Sequence, residues 1–126
     1  MKERKDYNGL TKALSHHDPG IQWKAARALG ELGEESLNHL IRALEITRNR
    51  EARIGIIEAL GLIGGQRVIA PLAAQMDDRS NEVRWEAAIA LGETGQQDAI
   101  PVLRNALEDE DKYVRYGAAL SLQKLS

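Results

Sequence analysis

Cysteine is absent from this chain of 126 residues. Disulfides, thiolate metal sites and cysteine nucleophiles are therefore excluded. Phenylalanine is absent as well, aromatics amount to 4%, and proline occurs three times. A β-sandwich would draw more heavily on aromatic and β-branched residues. No apolar run approaches the roughly 18 residues of a membrane-spanning helix, and residues 1–10 hold no apolar signal core. The expectation is a soluble cytoplasmic protein. Neither sign of charge prevails: the formal net charge is −2, with both signs interspersed. Nucleic-acid binding shows itself as a basic face. Here only Lys2, Arg4 and Lys5 cluster, which reads as a solvated helix end.

What the chain does have is a 43% hydrophobic content carried by Ala, Leu and Ile, with 29% charged residues. Small side chains let helix axes approach, and the length suits one domain. A period of 31 residues organises the whole. Residues 18–33 read DPGIQWKAARALGELG, 49–64 NREARIGIIEALGLIG, 80–95 SNEVRWEAAIALGETG and 111–126 DKYVRYGAALSLQKLS, aligned without a gap.

The columns of this alignment have physical readings. Asp18, Asn49, Ser80 and Asp111 are N-cap residues, whose side chains can accept from an orphan backbone N–H. Pro19 follows at a first helical position. Ile21/Ala52/Val83/Val114, Ala28/Ala59/Ala90/Ser121 and Leu29/Leu60/Leu91/Leu122 draw one apolar stripe on a helix of about 13 residues. Gly33, Gly64 and Gly95 stand where a left-handed cap is expected. Gly30, Gly61 and Gly92 fall in the last turn, where glycine costs ~1 kcal/mol against alanine; close approach of a neighbouring helix would compensate. A second amphipathic helix follows each glycine, anchored by Leu10/Leu14, Leu40/Leu44, Leu72/Met76 and Leu103/Leu107. Pro71 and Pro101 belong in first turns. The unit is a helical hairpin that cannot bury its stripe alone, so neighbours must stack. The reading is all-α: eight helices and about four repeats in one domain. Its parts are a half repeat at 1–17, repeats at 18–48, 49–79 and 80–110, and a terminal half repeat at 111–126.

The run Val83-Arg84-Trp85-Glu86-Ala87-Ala88-Ile89-Ala90-Leu91-Gly92, with Ala99-Ile100-Pro101-Val102-Leu103 and Asp109-Glu110-Asp111, resembles the short HEAT-like repeat of phycobilin lyases and many prokaryotic proteins. The resemblance covers about residues 8–126. Departures are Gln22 for Arg, Ala52 for Val, and Gln123 and Ser126 in place of glycine. It implies a right-handed α-α superhelix, with the second helix of each repeat lining the concave side and the first the convex side. It implies no chemistry of its own, since one fold hosts many functions.

Arg53, Arg84 and Arg115 share a column near Asp77, Asp78, Asp109 and Asp111. They could form an anion-binding row, or an Asp–Arg ladder between repeats of the kind the resemblance implies. Repetition in every unit favours the ladder, with Asp78 and Asp111 as partners. Trp23, Ile54, Trp85 and Tyr116 lie about 200° round the helix from the Ile21/Val83 column. They are either an aromatic strip for a partner or packing between adjacent first helices, and packing is favoured. His16, His17 and His39 offer no convergent ligand set. Among HEAT-like proteins deoxyhypusine hydroxylase uses His-Glu dyads, and no His-Glu pair occurs here. Ser15, Ser36, Ser80, Ser121 and Ser126 carry no nucleophile motif, and no phosphate loop is present. No cofactor, metal or catalytic residue is assigned.

The exposed positions of the second helices remain as the candidate partner surface: Asn38, His39, Arg42, Arg67, Ala70, Ala74, Asp98, Pro101, Val102 and Asn105. This mixture of cations and shallow apolar ground suits a protein or peptide better than a phosphate backbone. The leading expectation is a non-catalytic interaction scaffold. Behind it stand a bilin-lyase-like or chaperone-like subunit holding a tetrapyrrole with a partner subunit, and a HEAT-like nucleic-acid binder. The last helix lacks a partner helix, so Ala118, Ala119, Leu122 and Leu125 are expected to stay uncovered and to pack on another copy or a missing neighbour.

Overall fold

The computed structural model describes residues 7–13 and 18–126. Lys2, Arg4, Lys5, Leu14, Ser15, His16 and His17 lie outside the described residues, as does the side chain of Trp23. Every regular element among the described residues is helical. The α-helices are α1 (Tyr7–Ala13), α2 (Pro19–Glu31), α3 (Leu37–Ile46), α4 (Arg50–Ile63), α5 (Ile69–Ala74), α6 (Asn81–Glu93), α7 (Ile100–Ala106) and α8 (Lys112–Leu125). A tally of eight plain helices is slightly off, because 3-10 turns at Gly33–Ser36, Gln66–Val68, Gln75–Asp77 and Gln97–Ala99 lead into or prolong the second helices. No helix of the described residues is long and apolar enough to cross a membrane.

The first helix of each unit begins where its cap accepts a backbone N–H. Gly20 donates to Asp18 Oδ1 at 2.8 Å, Ala52 to Asn49 Oδ1 at 3.0 Å, and Val83 to Ser80 Oγ at 3.3 Å. Tyr113 and Val114 both donate to Asp111 Oδ1. At the other end Gly33, Gly64 and Gly95 turn the chain with φ of 77°, 69° and 70°, a region a side chain would strain. Pro71 and Pro101 stand in the first turns of α5 and α7.

Helices α2, α4, α6 and α8 pack side by side in one row, while α3, α5 and α7 lie over it and scarcely touch one another. Glycine sets the spacing of the row. A Cβ at Gly30 would stand 3.2 Å from the Ala59 Cα, and one at Gly61 3.1 Å from the Ala90 Cα. At Gly92 it would meet the Ser121 Cβ at 2.6 Å and its Cα at 2.9 Å. Backbone therefore meets backbone, and this approach accounts for three glycines that helix propensity alone disfavours.

Between the rows Leu29, Leu60 and Leu91 interleave with Leu40, Leu72 and Leu103, all fully buried. Two expected anchors depart from the pattern. Helix α5 ends at Ala74, and the tighter 3-10 turn that follows rotates its side chains. Gln75 is buried, like Ala43 and Ala106 at the equivalent positions, and Met76 only half-buried. Helix α7 ends at Ala106, which fills the core, so Leu107 is left 37% exposed. On α8 the expectation also fails in part: Ala118 and Leu125 are buried against α6 and α7, and Leu122 is half-buried. The exposed large side chains are Tyr113, Tyr116 and Leu120.

Candidate binding faces and the ladder between repeats

The arginine column ties the stack together through one repeated geometry. Each guanidinium Nη1 donates to the carbonyl six residues back: Arg53 to Thr47 at 2.8 Å, Arg84 to Asp78 at 2.8 Å, and Arg115 to Asp109 at 2.6 Å. Arg53 and Arg84 then reach the aspartate 25 residues ahead. Arg84 holds Asp109 with two bonds, of 3.0 and 3.2 Å, and Arg53 approaches Asp78 at 3.4 Å. Gln75 accepts a further bond from Arg53. The Asp109 carboxylate raises the pKa of the Arg84 guanidinium above its ordinary value. Asp111, expected as a rung, instead caps α8 and accepts from Asn81 at 2.6 Å. That bond holds its carboxyl below the usual carboxylate range.

The aromatic column is explained by the same row of first helices. Trp85 lies over Gly117 of α8, where an added Cβ would meet its Cδ1 at 3.0 Å. Ile54 is half-buried against the core, while Tyr116 on the last helix stays 62% exposed.

The residues selected on the second helices are scattered over two levels. Asn38, Arg67 and Asp98 sit at the leading ends of those helices and bond between repeats: Arg67 Nη2 donates to Asn38 Oδ1 at 2.7 Å, and Gln66 donates to Asp98. Arg67 is therefore already engaged. His39 is half-buried and Arg42, Ala70 and Ala74 are exposed. Only Pro101, Val102 and Asn105 share a groove, of about 580 Å³, with Ala73, Met76, Asp77 and Glu108. Sequence reasoning did not place those four on a partner surface, and it read Met76 as a core anchor.

Another surface lies across the first helices. Leu62 is 58% exposed and Leu120 41%, with half-buried Ile89 between them on α6. They line two grooves that share Ile89 and Glu93, one of about 300 Å³ with Arg27, Glu58 and Glu86, the other of about 410 Å³ with Lys124. Glu93 pairs with Lys124, and Glu82 with Arg50 at 3.5 Å. Burial, then the neighbouring Glu58 and Glu82, push the Glu86 carboxyl up to about 7.

The packing also bears on which row faces inward. In a curved stack the row with the closer spacing runs along the inside of the bend. The glycines bring the row of α2, α4, α6 and α8 into close contact.

No three His, Cys, Asp or Glu side chains converge as a metal site among the described residues. Ser36 and Ser121 donate their hydroxyls to carbonyls, of Leu29 and Gly33 and of Ala88 respectively.

Comparison with known proteins agrees with this architecture. The chain is similar to human deoxyhypusine hydroxylase in complex with glycerol, at 24% identity and a TM-score of 0.82 over 98% of this chain and 44% of that one. It thus spans under half of the hydroxylase. It is similar to the complex of CpcE and CpcF of phycocyanin lyase from Nostoc sp. PCC7120, at 25% identity and a TM-score of 0.81, covering 94% of this chain and 77% of that one. A designed armadillo repeat protein matches at 18% identity and a TM-score of 0.58, over 93% of this chain and 63% of the design. No curated protein sequence gives a match. The family model described as HEAT repeats matches residues 7–61 and 69–126, most of the chain, which therefore belongs to the HEAT repeat family.

Proposed function

We propose that this chain is a non-catalytic scaffold that holds a protein or peptide on its concave face, and that this face is the row of first helices. The observation that carries the reading is the apolar line of exposed Leu62 and Leu120 with half-buried Ile89 between them, which crosses α4, α6 and α8 and is flanked by two grooves. Large aliphatics exposed together and rimmed by polar groups mark an interaction surface. The competing surface is the groove of Pro101, Val102 and Asn105 between α5 and α7. Affinity capture from native lysate separates the two, run with wild type, with Leu62→Ser/Leu120→Ser and with Arg42→Glu/Arg67→Glu. Loss of a captured protein in the leucine pair alone supports the first-helix row. Loss in the arginine pair alone moves the site to the second helices, and capture unchanged in both counts against the reading.

Similarity to a phycocyanin lyase complex supports a second reading, a subunit that holds a tetrapyrrole together with another HEAT protein. Bilin added to the chain, alone and with a second HEAT subunit, would then shift its absorbance band; an unaltered spectrum in both mixtures removes this reading.

A further inference from the structure

We infer that the element held on the first-helix face is an amphipathic helix carrying lysine or arginine beside its apolar row. The inference rests on the reading of that face given above and adds the chemistry of the partner.

The spacing of the apolar residues selects a helix. Ile89 and Leu120 occupy the same column on neighbouring first helices, and packed helix axes lie about 8–10 Å apart. One heptad of α-helix advances about 10 Å, so apolar side chains seven residues apart meet successive first helices. An extended strand advances about 10 Å in three residues, and positions three apart point to opposite faces. A strand would thus set alternate side chains away from the surface.

The charges select the sign. Of the carboxylates along the two grooves, Glu93 is paired with Lys124, and Glu82 beside them with Arg50. Glu86 is half-buried and has no cationic partner among the described residues. It faces Glu58 from α4 and Glu82 from its own helix. The cations lining these grooves are Arg27 at one end and Lys124 at the other. A carboxylate held out of water among like charges is costly until a cation reaches it. A lysine or arginine three or four residues from the apolar positions of a docked helix lies on the same helical face and arrives between the two groove ends. The same carboxylates repel an anionic membrane surface, which separates a basic protein helix from a lipid bilayer as occupant.

The test uses labelled synthetic peptides of about 18 residues, with leucine every seventh residue, lysine between and alanine elsewhere, beside a counterpart with glutamate for lysine. Fluorescence anisotropy at about pH 8 should show the lysine peptide bound at least tenfold more tightly than the glutamate peptide. Leu62→Ser/Leu120→Ser should weaken it at least tenfold, and Glu86→Gln, which keeps the side-chain shape, about threefold to tenfold. Affinity of the wild type should fall severalfold between about pH 8 and 5.5, and that of Glu86→Gln should not follow it. Equal binding of the two peptides, with both sensitive to the leucine changes, would overturn the partner chemistry and leave the face standing. Binding indifferent to the leucine changes would overturn both. Stronger attachment to phosphatidylserine vesicles than to phosphatidylcholine vesicles would also refute the inference.

Discussion

In Gly92→Ala a methyl group enters the space that Ser121 already fills. The new Cβ would stand 2.6 Å from the Ser121 Cβ and 2.9 Å from its Cα, whereas carbons in contact settle at about 3.5–4.0 Å. Because the Cα belongs to the α8 backbone, a rotamer change cannot relieve the clash. Helices α6 and α8 must part, stretching the 2.7 Å bond from the Ser121 hydroxyl to the Ala88 carbonyl. Overpacking of this kind costs about 1–3 kcal/mol, and the weakened bond about 1 kcal/mol more. Alanine returns ~1 kcal/mol of helix propensity. The net expectation is a loss of about 1–3 kcal/mol, or a Tm lower by roughly 5–10 °C for a domain of this size. Urea unfolding followed by circular dichroism measures it. Gly30→Ala faces only a 3.2 Å approach to Ala59, so it should fall within about 1 kcal/mol of wild type. Adding Ser121→Gly to Gly92→Ala reopens the space, and a double-mutant cycle should return a coupling of at least ~1 kcal/mol. A Gly92→Ala protein as stable as wild type, or indifferent to Ser121→Gly, would refute the account of this row.

Two further outcomes follow from the charged groups. Asp109→Ala strands the buried Arg84 guanidinium and should cost about 2–4 kcal/mol; Glu110→Ala, whose side chain is 88% exposed, should cost under about 0.5 kcal/mol, and equal losses in the two would sink the ladder. Because the folded-state pKa of Glu86 lies above its ordinary value, at about 7, stability should decline as pH rises from about 4.5 through 7 and level off above. Solvent screening of a half-buried group limits the effect to about 1–2 kcal/mol. Glu86→Gln should flatten that part of a pH series of urea midpoints, and an unchanged profile would count against the repulsion.

The first helices were legible in the sequence because their determinants are local and recur. Asp18, Asn49, Ser80 and Asp111 do at each helix start what their side chains can do in any chain. Gly30, Gly61 and Gly92 announce a close neighbour by the propensity they sacrifice. The second helices were read less well. The pair Leu72/Met76 presumes an α-helical pitch that the chain abandons at Gln75. Leu107 likewise lies past the end of α7. Of the aspartates in reach of the arginine column, Asp109 pairs with Arg84 while Asp111 caps α8; the two stand two residues apart, and only the turn geometry tells which one faces the guanidinium. The apolar line of Leu62, Ile89 and Leu120 was missed because it comes from two columns, and each holds charged residues in other repeats.

The glycine contacts also give the stack an elasticity with a direction. Ala59 against Gly30, Ala90 against Gly61 and Ser121 against Gly92 act as end stops, since backbone already touches backbone along the row of first helices. Bending that brings the first helices closer meets a steep wall, while bending that parts them only loosens those contacts. If the proposed first-helix face is the one that holds a partner, such a spring opens to admit an object wider than its resting span but cannot tighten around a narrower one. Discrimination by size is then one-sided, rejecting what is too small to fill the curve before what is slightly too large.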